Sequence, residues 1–170
     1  RRIKVIPYPF HPVSRGSRRG AREVLGLPTE DGRAVVLAFG TRAEHLGPIM
    51  PVLADLAKGR DLILLLLTGR GEELKQALAL KRRYRFVEVR REAPPPERLY
   101  TYLHASDAVL LHRGPASYVA LSSTVHLCLG ALRPILCPDN NFFEIYGGEV
   151  IKYRGPWELR EKLEAVLDGD

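Results

Sequence analysis

The chain has 170 residues, of which 45% are hydrophobic and 27% charged, enough to build and bury the core of one α/β domain. Its formal net charge is +6, but no RNP, helix-turn-helix or zinc-finger pattern accompanies that charge, which argues against a nucleic-acid partner. No apolar run approaches the roughly 20 residues of a membrane-spanning helix, and the five histidines lack metal-ligand spacing. Two cysteines in apolar surroundings, Cys128 and Cys137, predict buried structural thiols.

Apolar runs and segments of helical period alternate along the whole chain. The predicted strands are Ile3–Ile6, Ala34–Phe39, Leu62–Leu67, Tyr84–Val89, Ala108–Leu111, Ile135–Cys137 and Val150–Lys152. The predicted helices are Arg22–Leu25, Gly47–Ala57, Glu72–Leu80, Pro96–His104, Thr124–Leu132 and Pro156–Leu167. Because continuous apolar strands alternate with helices, the pattern predicts an α/β domain with a doubly wound, Rossmann-like parallel sheet covered on both faces.

A glycine turn after the strand at Ala34–Phe39 is the first candidate ligand contact. Gly40, Thr41 and Arg42 lie between that strand and a helix, so the backbone can approach a ligand and the guanidinium can pair with a diphosphate. An ordinary strand-to-helix turn with an exposed arginine fits the spacing equally well. The similar turn at Thr68–Gly71 is interpreted as backbone geometry unless it lines a cleft.

The segment from Asp107 to Glu144 carries the strongest site pattern. Its buried strand ends at Arg113, and Ser122, Ser123 and Thr124 are candidate N-cap residues for the following helix. Backbone N–H groups at such a helix start would face the carboxyl end of the strand, where open parallel sheets bind phosphate. Simple N-capping would satisfy the same residues without a ligand.

The next strand leads into a second polar loop. Carboxylate and amide groups suit sugar hydroxyls, although Asn and Asp also favour turns for backbone reasons. The candidates in this loop are Asp139, Asn140, Asn141 and Glu144. His126, inside the predicted helix, is a further candidate for a phosphate or sugar hydroxyl, and a satisfied helix histidine is the alternative.

The order of these segments resembles the C-terminal, donor-binding half of a GT-B glycosyltransferase, closest to the retaining family 4 (glycosyl transferases group 1). The likeness includes IKVIPYPFHP as the entry linker, AVVLAFGTRAEHLGPI as the first strand with its phosphate loop, RPILCPDNNFFE as the sugar-binding loop and WELREKLEAVLDGD as the closing helix. It implies one nucleotide-sugar-binding domain over residues 1–170, with residues 1–20 as the linker region of a longer cytoplasmic enzyme. It also implies a nucleotide-diphosphate sugar as donor substrate, no separate cofactor, and an N-terminal domain that holds the acceptor.

The chain departs from the family pattern at its charged positions. Alignment on Pro134 puts Val119 and Leu127 where the family usually carries an acidic pair, so both carboxylates are absent. The family also tends to carry an arginine and a lysine after its first strand, where this chain has Arg42 and then Leu46. Glu144 corresponds to the family's late acidic residue. Catalytic residues therefore stay unassigned.

Two basic clusters follow from the sequence. The N-terminal cluster consists of Arg1, Arg2, Lys4, Arg15, Arg18, Arg19 and Arg22. We interpret it as a contact for anionic lipid headgroups or a partner, since many similar enzymes act on membrane-linked acceptors. The second cluster consists of Lys81, Arg82, Arg83, Arg85, Arg90 and Arg91, and its first part is interpreted as solvated turn residues flanking a strand.

Three functions remain open at this stage. The favoured one is the donor-binding half of a glycosyltransferase, in which neutralisation of the departing diphosphate drives transfer. A nucleotide-sugar 2-epimerase shares the architecture but would bring several carboxylates and a histidine to the sugar. A non-catalytic GT-B-like module would explain the missing carboxylates.

Overall fold

A computed structural model describes residues 4, 9–30, 32–69, 71–118 and 120–169. The strands are β1 (Ala34–Ala38), β2 (Leu62–Thr68), β3 (Val87–Arg91), β4 (Ala108–Leu110), β5 (Ile135–Pro138) and β6 (Ile151–Tyr153). The helices are α1 (Arg18–Leu25), α2 (Ala43–Leu46), α3 (Met50–Gly59), α4 (Glu72–Arg83), α5 (Pro96–Ala105), α6 (Ser123–Leu129) and α7 (Pro156–Asp168). None of these helices is long and apolar enough to cross a membrane.

The strands form one parallel sheet in the order β3-β2-β1-β4-β5-β6. This confirms the predicted α/β, Rossmann-like fold. The chain builds outward from β1 to β3, then crosses back to β4 on the other side of β1. The strand order therefore reverses between β1 and β4, and ligands of such sheets bind beyond the carboxyl ends of the strands at that switch point.

Both faces of the sheet are covered, which is why the central strands are apolar throughout. All five residues of β1 are buried: Val35 and Leu37 join one core layer, and Val36 joins the other. The first layer lies under α1, α5 and α6, and the second under α2, α3 and α7. Cys128 and Cys137 are buried free thiols in the first layer, as predicted, and burial raises the pKa of the Cys137 thiol to about 12.

The seam between β1 and β4 is short, and side chains extend it at both ends. Only Val36–Ala108 and Leu37–Val109 are paired across it. At the amino end, the Asp107 carboxylate accepts hydrogen bonds from the Val35 amide at 2.7 Å and from the buried Arg22 guanidinium at 2.6 Å. At the carboxyl end, the Thr41 hydroxyl donates to the His112 carbonyl at 2.6 Å.

Several predicted boundaries were wrong, each for a local reason. The strand predicted at Tyr84–Val89 begins only at Val87, because α4 continues to Arg83. Lys81, Arg82 and Arg83 therefore occupy the last helical turn, where the helix dipole favours cations, and are not turn residues.

The remaining corrections concern helices. The helix predicted at Arg22–Leu25 begins four residues earlier, at Arg18, because Ser17 caps it. The helix predicted at Gly47–Ala57 is divided into α2, a 3-10 turn at Gly47–Ile49 and α3, with prolines at the start of the turn and of α3. The helix predicted at Thr124–Leu132 is α6, which begins one residue earlier and ends at Leu129. The strand predicted at Ile3–Ile6 falls, apart from Lys4, outside the described residues.

Candidate functional site

A cleft of about 770 Å³ opens at the carboxyl ends of β1, β2, β3 and β4. It therefore spans the switch point of the sheet, and its volume lies in the range of small-molecule and cofactor sites. Its walls come from residues within 39–45, 67–69, 92–99 and 113–118, together with Glu73 of α4 and Leu127 of α6. Thr68 and Gly69 belong to the turn that was interpreted from sequence as structural unless it lined a cleft, and both lie on this wall.

The turn after β1 lies on the wall of the cleft. Gly40 has a left-handed φ of 63°, and a Cβ at this position would lie 3.1 Å from the Thr124 hydroxyl oxygen. Thr41 is fixed by its bond to the His112 carbonyl. The Arg42 side chain is 65% exposed, lies on the cleft wall and makes a loose pair with Glu44 at 3.4 Å. A bound anion can recruit such a guanidinium without breaking a buried ion pair.

Arg113 brings a second guanidinium to the cleft from the other side of the switch point. It follows β4 and lines both the main cleft and a smaller cavity of about 110 Å³. Its guanidinium carbon lies 4.3 Å from the centre of the Phe142 ring, so the ring supports the charge from one side. Two arginines from β1 and β4 thus flank one opening.

The start of α6 lines the smaller cavity. Ser122 is the N-cap, and its hydroxyl accepts from the Val125 amide at 3.4 Å. Ser123 is exposed, and Thr124 packs against Gly40. All three face the cavity that Gly40 and Arg113 also line, so the structure brings the predicted phosphate residues together.

The loop after β5 reaches the smaller cavity with Phe142 and Phe143, but its polar candidates lie on the wall of neither cavity: Asp139, Asn140, Asn141 and Glu144. Asn140 donates to the Arg113 carbonyl at 2.9 Å, and Asn141 donates to and accepts from the Ala116 backbone at 2.7 and 2.9 Å. The two asparagines therefore hold the Arg113–Tyr118 segment in place. Asp139 pairs with Arg154 at 3.5 Å, and Glu144 is exposed.

His126 is buried beneath the start of α6 and does not line either cavity. Its Nδ1 lies 2.7 Å from the Tyr146 hydroxyl, which donates to the Ser122 carbonyl at 2.7 Å. Its ring also stacks on Phe10, with 4.5 Å between the ring centres. The contacts are those of a histidine that supports the helix start.

Sequence reasoning missed the opposite end of the cleft, where Glu92 follows β3. The carboxylate accepts a short hydrogen bond from the Tyr102 hydroxyl and one from Arg98 Nε at 3.0 Å. These donors, led by Tyr102, hold the pKa of Glu92 below its usual value, so it is ionised at neutral pH. The available signal was a carboxylate three residues after the strand predicted at Tyr84–Val89.

The cleft also has an apolar wall formed by Leu67, Leu99 and Leu127. The first two are buried, whereas Leu127 is half-buried at the margin of the core, with surface facing the cleft. The resemblance implies an acidic residue at position 127, and the structure has an apolar side chain there that lines the cleft. Val119, the other such position, lies outside the described residues.

No family model matches the chain. Among solved structures, it is similar to the E. coli heptosyltransferase WaaC with ADP-2-deoxy-2-fluoro heptose, at 20% identity and a TM-score of 0.56, over 90% of this chain and 50% of that one. It is also similar to AviGT4, a glycosyltransferase involved in avilamycin A biosynthesis, at 22% identity and a TM-score of 0.53, over 82% and 42%. The glycosyltransferase GlyE of Streptococcus pneumoniae TIGR4 is similar at 19% identity and a TM-score of 0.51. This likeness covers 81% of this chain and 32% of GlyE.

These likenesses establish a fold shared with GT-B glycosyltransferases. The chain spans about half of the length of WaaC and less of the other two. A cleft that crosses the switch point of this fold, with two guanidinium groups at one end and an apolar wall with a fixed carboxylate at the other, can hold an elongated ligand that is anionic at one end only.

Proposed function

We propose that this chain is the donor-binding domain of a GT-B glycosyltransferase, which binds a nucleotide-diphosphate sugar. One observation carries the proposal: Arg42 and Arg113 lie on either side of the switch point, on the wall of a cleft large enough for a nucleotide. The fold alone would be compatible with many functions, and the positions of these charges narrow the choice.

In this proposal the diphosphate lies between the two guanidinium groups. Backbone N–H groups of the turn after β1 and of the start of α6 add neutral donors beside it. Charge develops on the departing diphosphate during transfer, and arginines already placed there stabilise that charge. The sugar then points out of the cleft toward an acceptor held by another domain of the same protein, and the resemblance to family 4 favours retention of the anomeric configuration.

A non-catalytic nucleotide-binding module is the second candidate. Leu127 favours it, since an apolar side chain lines the cleft where the resemblance expects a carboxylate. Such a module would bind the nucleotide, yet the full-length protein would transfer no sugar. Product analysis on that protein separates the two.

Calorimetric titration of the chain with GDP, ADP and UDP tests the proposal. We expect weak binding of at least one nucleotide, because a second domain completes the cleft of this architecture. Arg42→Ala should weaken binding by about 1.5–3 kcal/mol, as expected for a hydrogen bond to a charged group. Arg82→Ala, an exposed arginine in the last turn of α4, is the matched control and should leave affinity unchanged.

Flat responses to all three nucleotides at millimolar concentration would refute the proposal. Binding that is indifferent to Arg42→Ala, with unchanged thermal melting, would show that Arg42 is a surface residue and that the diphosphate lies elsewhere.

A further inference from the structure

We propose that Glu92 reads the base of the bound nucleotide and selects guanine. This inference rests on the proposed function and names its substrate class as guanosine-diphosphate sugars. It depends on how the carboxylate is held, on what surrounds it and on where it lies relative to the two arginines.

The carboxylate of Glu92 is fixed before any ligand arrives. The Tyr102 hydroxyl donates to one oxygen and Arg98 donates to the other. Tyr102 itself is only 2% exposed and is held by packing, and the Arg98 guanidinium lies 5.5 Å from the centre of its ring. The Glu92 backbone N–H is tied to the Thr68 carbonyl at 2.9 Å. Such fixed groups discriminate between ligands better than mobile surface carboxylates do.

An ionised carboxylate only accepts hydrogen bonds, and its two oxygens offer about four lone-pair positions. Tyr102 and Arg98 use one position on each oxygen, which leaves one on each for a ligand. Guanine presents two adjacent donors, N1–H and the N2 amino group, and so matches this pair. Adenine and cytosine place a ring-nitrogen acceptor beside their amino group, and uracil has one N–H between two carbonyl oxygens. Each of the other bases therefore turns an acceptor toward the carboxylate.

The surroundings suit a flat heterocycle. Leu67, Leu99, Ala93 and Pro94 line the cleft beside Glu92. Apolar walls of this kind can enclose the faces of a base while a few placed polar groups fix its edge.

The position of Glu92 along the sheet is also consistent with contact to the base. Glu92 follows β3, whereas Arg42 follows β1 and Arg113 follows β4. With strands about 4.8 Å apart, the carboxylate lies roughly 10–14 Å along the sheet from the arginines. Base and diphosphate can therefore occupy opposite ends of one cleft, and the carboxylate is kept away from the phosphates.

Glu73 lines the same cleft and offers a matched control. It lies in the first turn of α4 and is exposed, and no ion pair within the described residues involves it. If any carboxylate in the cleft repelled or attracted nucleotides in the same way, Glu73→Gln and Glu92→Gln would have equal effects.

The test is calorimetric titration of the chain and its variants with GDP, ADP, UDP and inosine diphosphate, which lacks only the N2 amino group of GDP. We expect the unmodified chain to bind GDP about tenfold or more tightly than ADP and UDP, the usual scale of bidentate base recognition, with inosine diphosphate in between. Glu92→Gln should remove most of that preference, and Glu73→Gln should retain it. Tyr102→Phe, which removes the orienting hydroxyl but keeps the ring, should reduce the preference for GDP over inosine diphosphate.

The outcomes separate this inference from the proposed function. Equal binding of all four nucleotides by the unmodified chain, or a preference for ADP or UDP, would overturn the role of Glu92 and leave the donor-binding function standing. A guanine preference that survives in Glu92→Gln would show that Glu92 only supports Tyr102 and Arg98. No binding at all would overturn both proposals. If Glu92→Gln fails to fold, Tyr102→Phe decides, because a preference for GDP over inosine diphosphate that this variant leaves unchanged would overturn the proposed role of Glu92.

Discussion

Gly40 shows how a single residue shapes the cleft. Its left-handed backbone turns the chain sharply after β1, and Thr124 of α6 packs where a side chain would begin. Both properties are needed, since the turn presents Thr41 and Arg42 to the cleft and the close contact brings the start of α6 beside them. A larger residue would separate the two loops on which the proposed diphosphate site depends.

We expect Gly40→Ala to destabilise the fold and to weaken nucleotide binding. A left-handed alanine costs about 1–2 kcal/mol, and the contact with Thr124 adds roughly 1–3 kcal/mol of overpacking. Gly26→Ala is the matched control, because Gly26 has a φ of 62° but nothing within 4 Å of its Cβ position. Urea denaturation should show the larger loss for Gly40→Ala. Equal losses would mean that the packing against Thr124 is unimportant.

Residue by residue, the sequence predicted local conformation better than contacts. A turn at Gly40 could be predicted because a glycine between a strand and a helix favours a left-handed backbone. Asn140 and Asn141 were expected to meet a ligand, but their amides bind a neighbouring loop, and no local pattern reveals such long-range partners. Glu92 was missed because its donors, Tyr102 and Arg98, belong to the next helix.

At the level of elements, the start of α6 joins the helix to the proposed phosphate site. Ser123 is the first helical residue and Ser122 before it has an extended backbone, so proline at position 123 is compatible with both. The backbone N–H of residue 123 can therefore be removed without breaking the helix.

Ser123→Pro should abolish detectable nucleotide binding while leaving thermal melting nearly unchanged, provided that this N–H contacts the phosphates. Ser123→Ala, which removes only the hydroxyl, should retain most of the affinity. Both are measured by calorimetry and melting on the same preparations. Full affinity in the proline variant would place the phosphates away from residues 122–124.

The elements themselves followed from periodicity, whereas their ends depended on tertiary context. The alternation of apolar strands with helices was sufficient to predict the parallel sheet. The end of α4 was misplaced because Tyr84 and Phe86 are typical strand residues, yet Tyr84 caps the helix and packs against Phe86 ahead of β3. The pairing of β1 with β4 could not be predicted in this way, because the two strands are far apart in the sequence.

Across the whole molecule, one half-buried histidine, His112, ties stability to pH. The His112 ring follows β4 and its Nδ1 lies 2.6 Å from the hydroxyl of Tyr153 at the end of β6. Burial lowers the pKa of His112 to about 4, with a smaller contribution from His45. The folded protein therefore holds this ring neutral where the unfolded chain would bind a proton.

Because the folded pKa lies below the unfolded value of about 6.5, the contribution is fully present above pH 6.5 and is lost as the pH falls toward 4. Allowing for solvent screening of the half-buried ring, we expect a loss of about 1–3 kcal/mol over this range. His112→Gln should be less stable at pH 7 and should lose less on acidification. Urea denaturation at pH 7, 5.5 and 4 measures the stability of the two proteins and its loss on acidification. An equal loss in both proteins would show that His112 is not the source of the pH dependence.

The short seam between β1 and β4 gives the protein a way to change its ligand without changing its fold. Only two residue pairs join the two halves of the sheet there, and the Asp107 carboxylate and the Thr41 hydroxyl complete the junction. Thr41 lies at the carboxyl end, beside the cleft, whereas loss of the Asp107 carboxylate at the amino end would leave the buried Arg22 guanidinium without its ion-pair partner. Substitution of Thr41 could therefore reshape the cleft and accommodate a different ligand while the core of the domain is preserved.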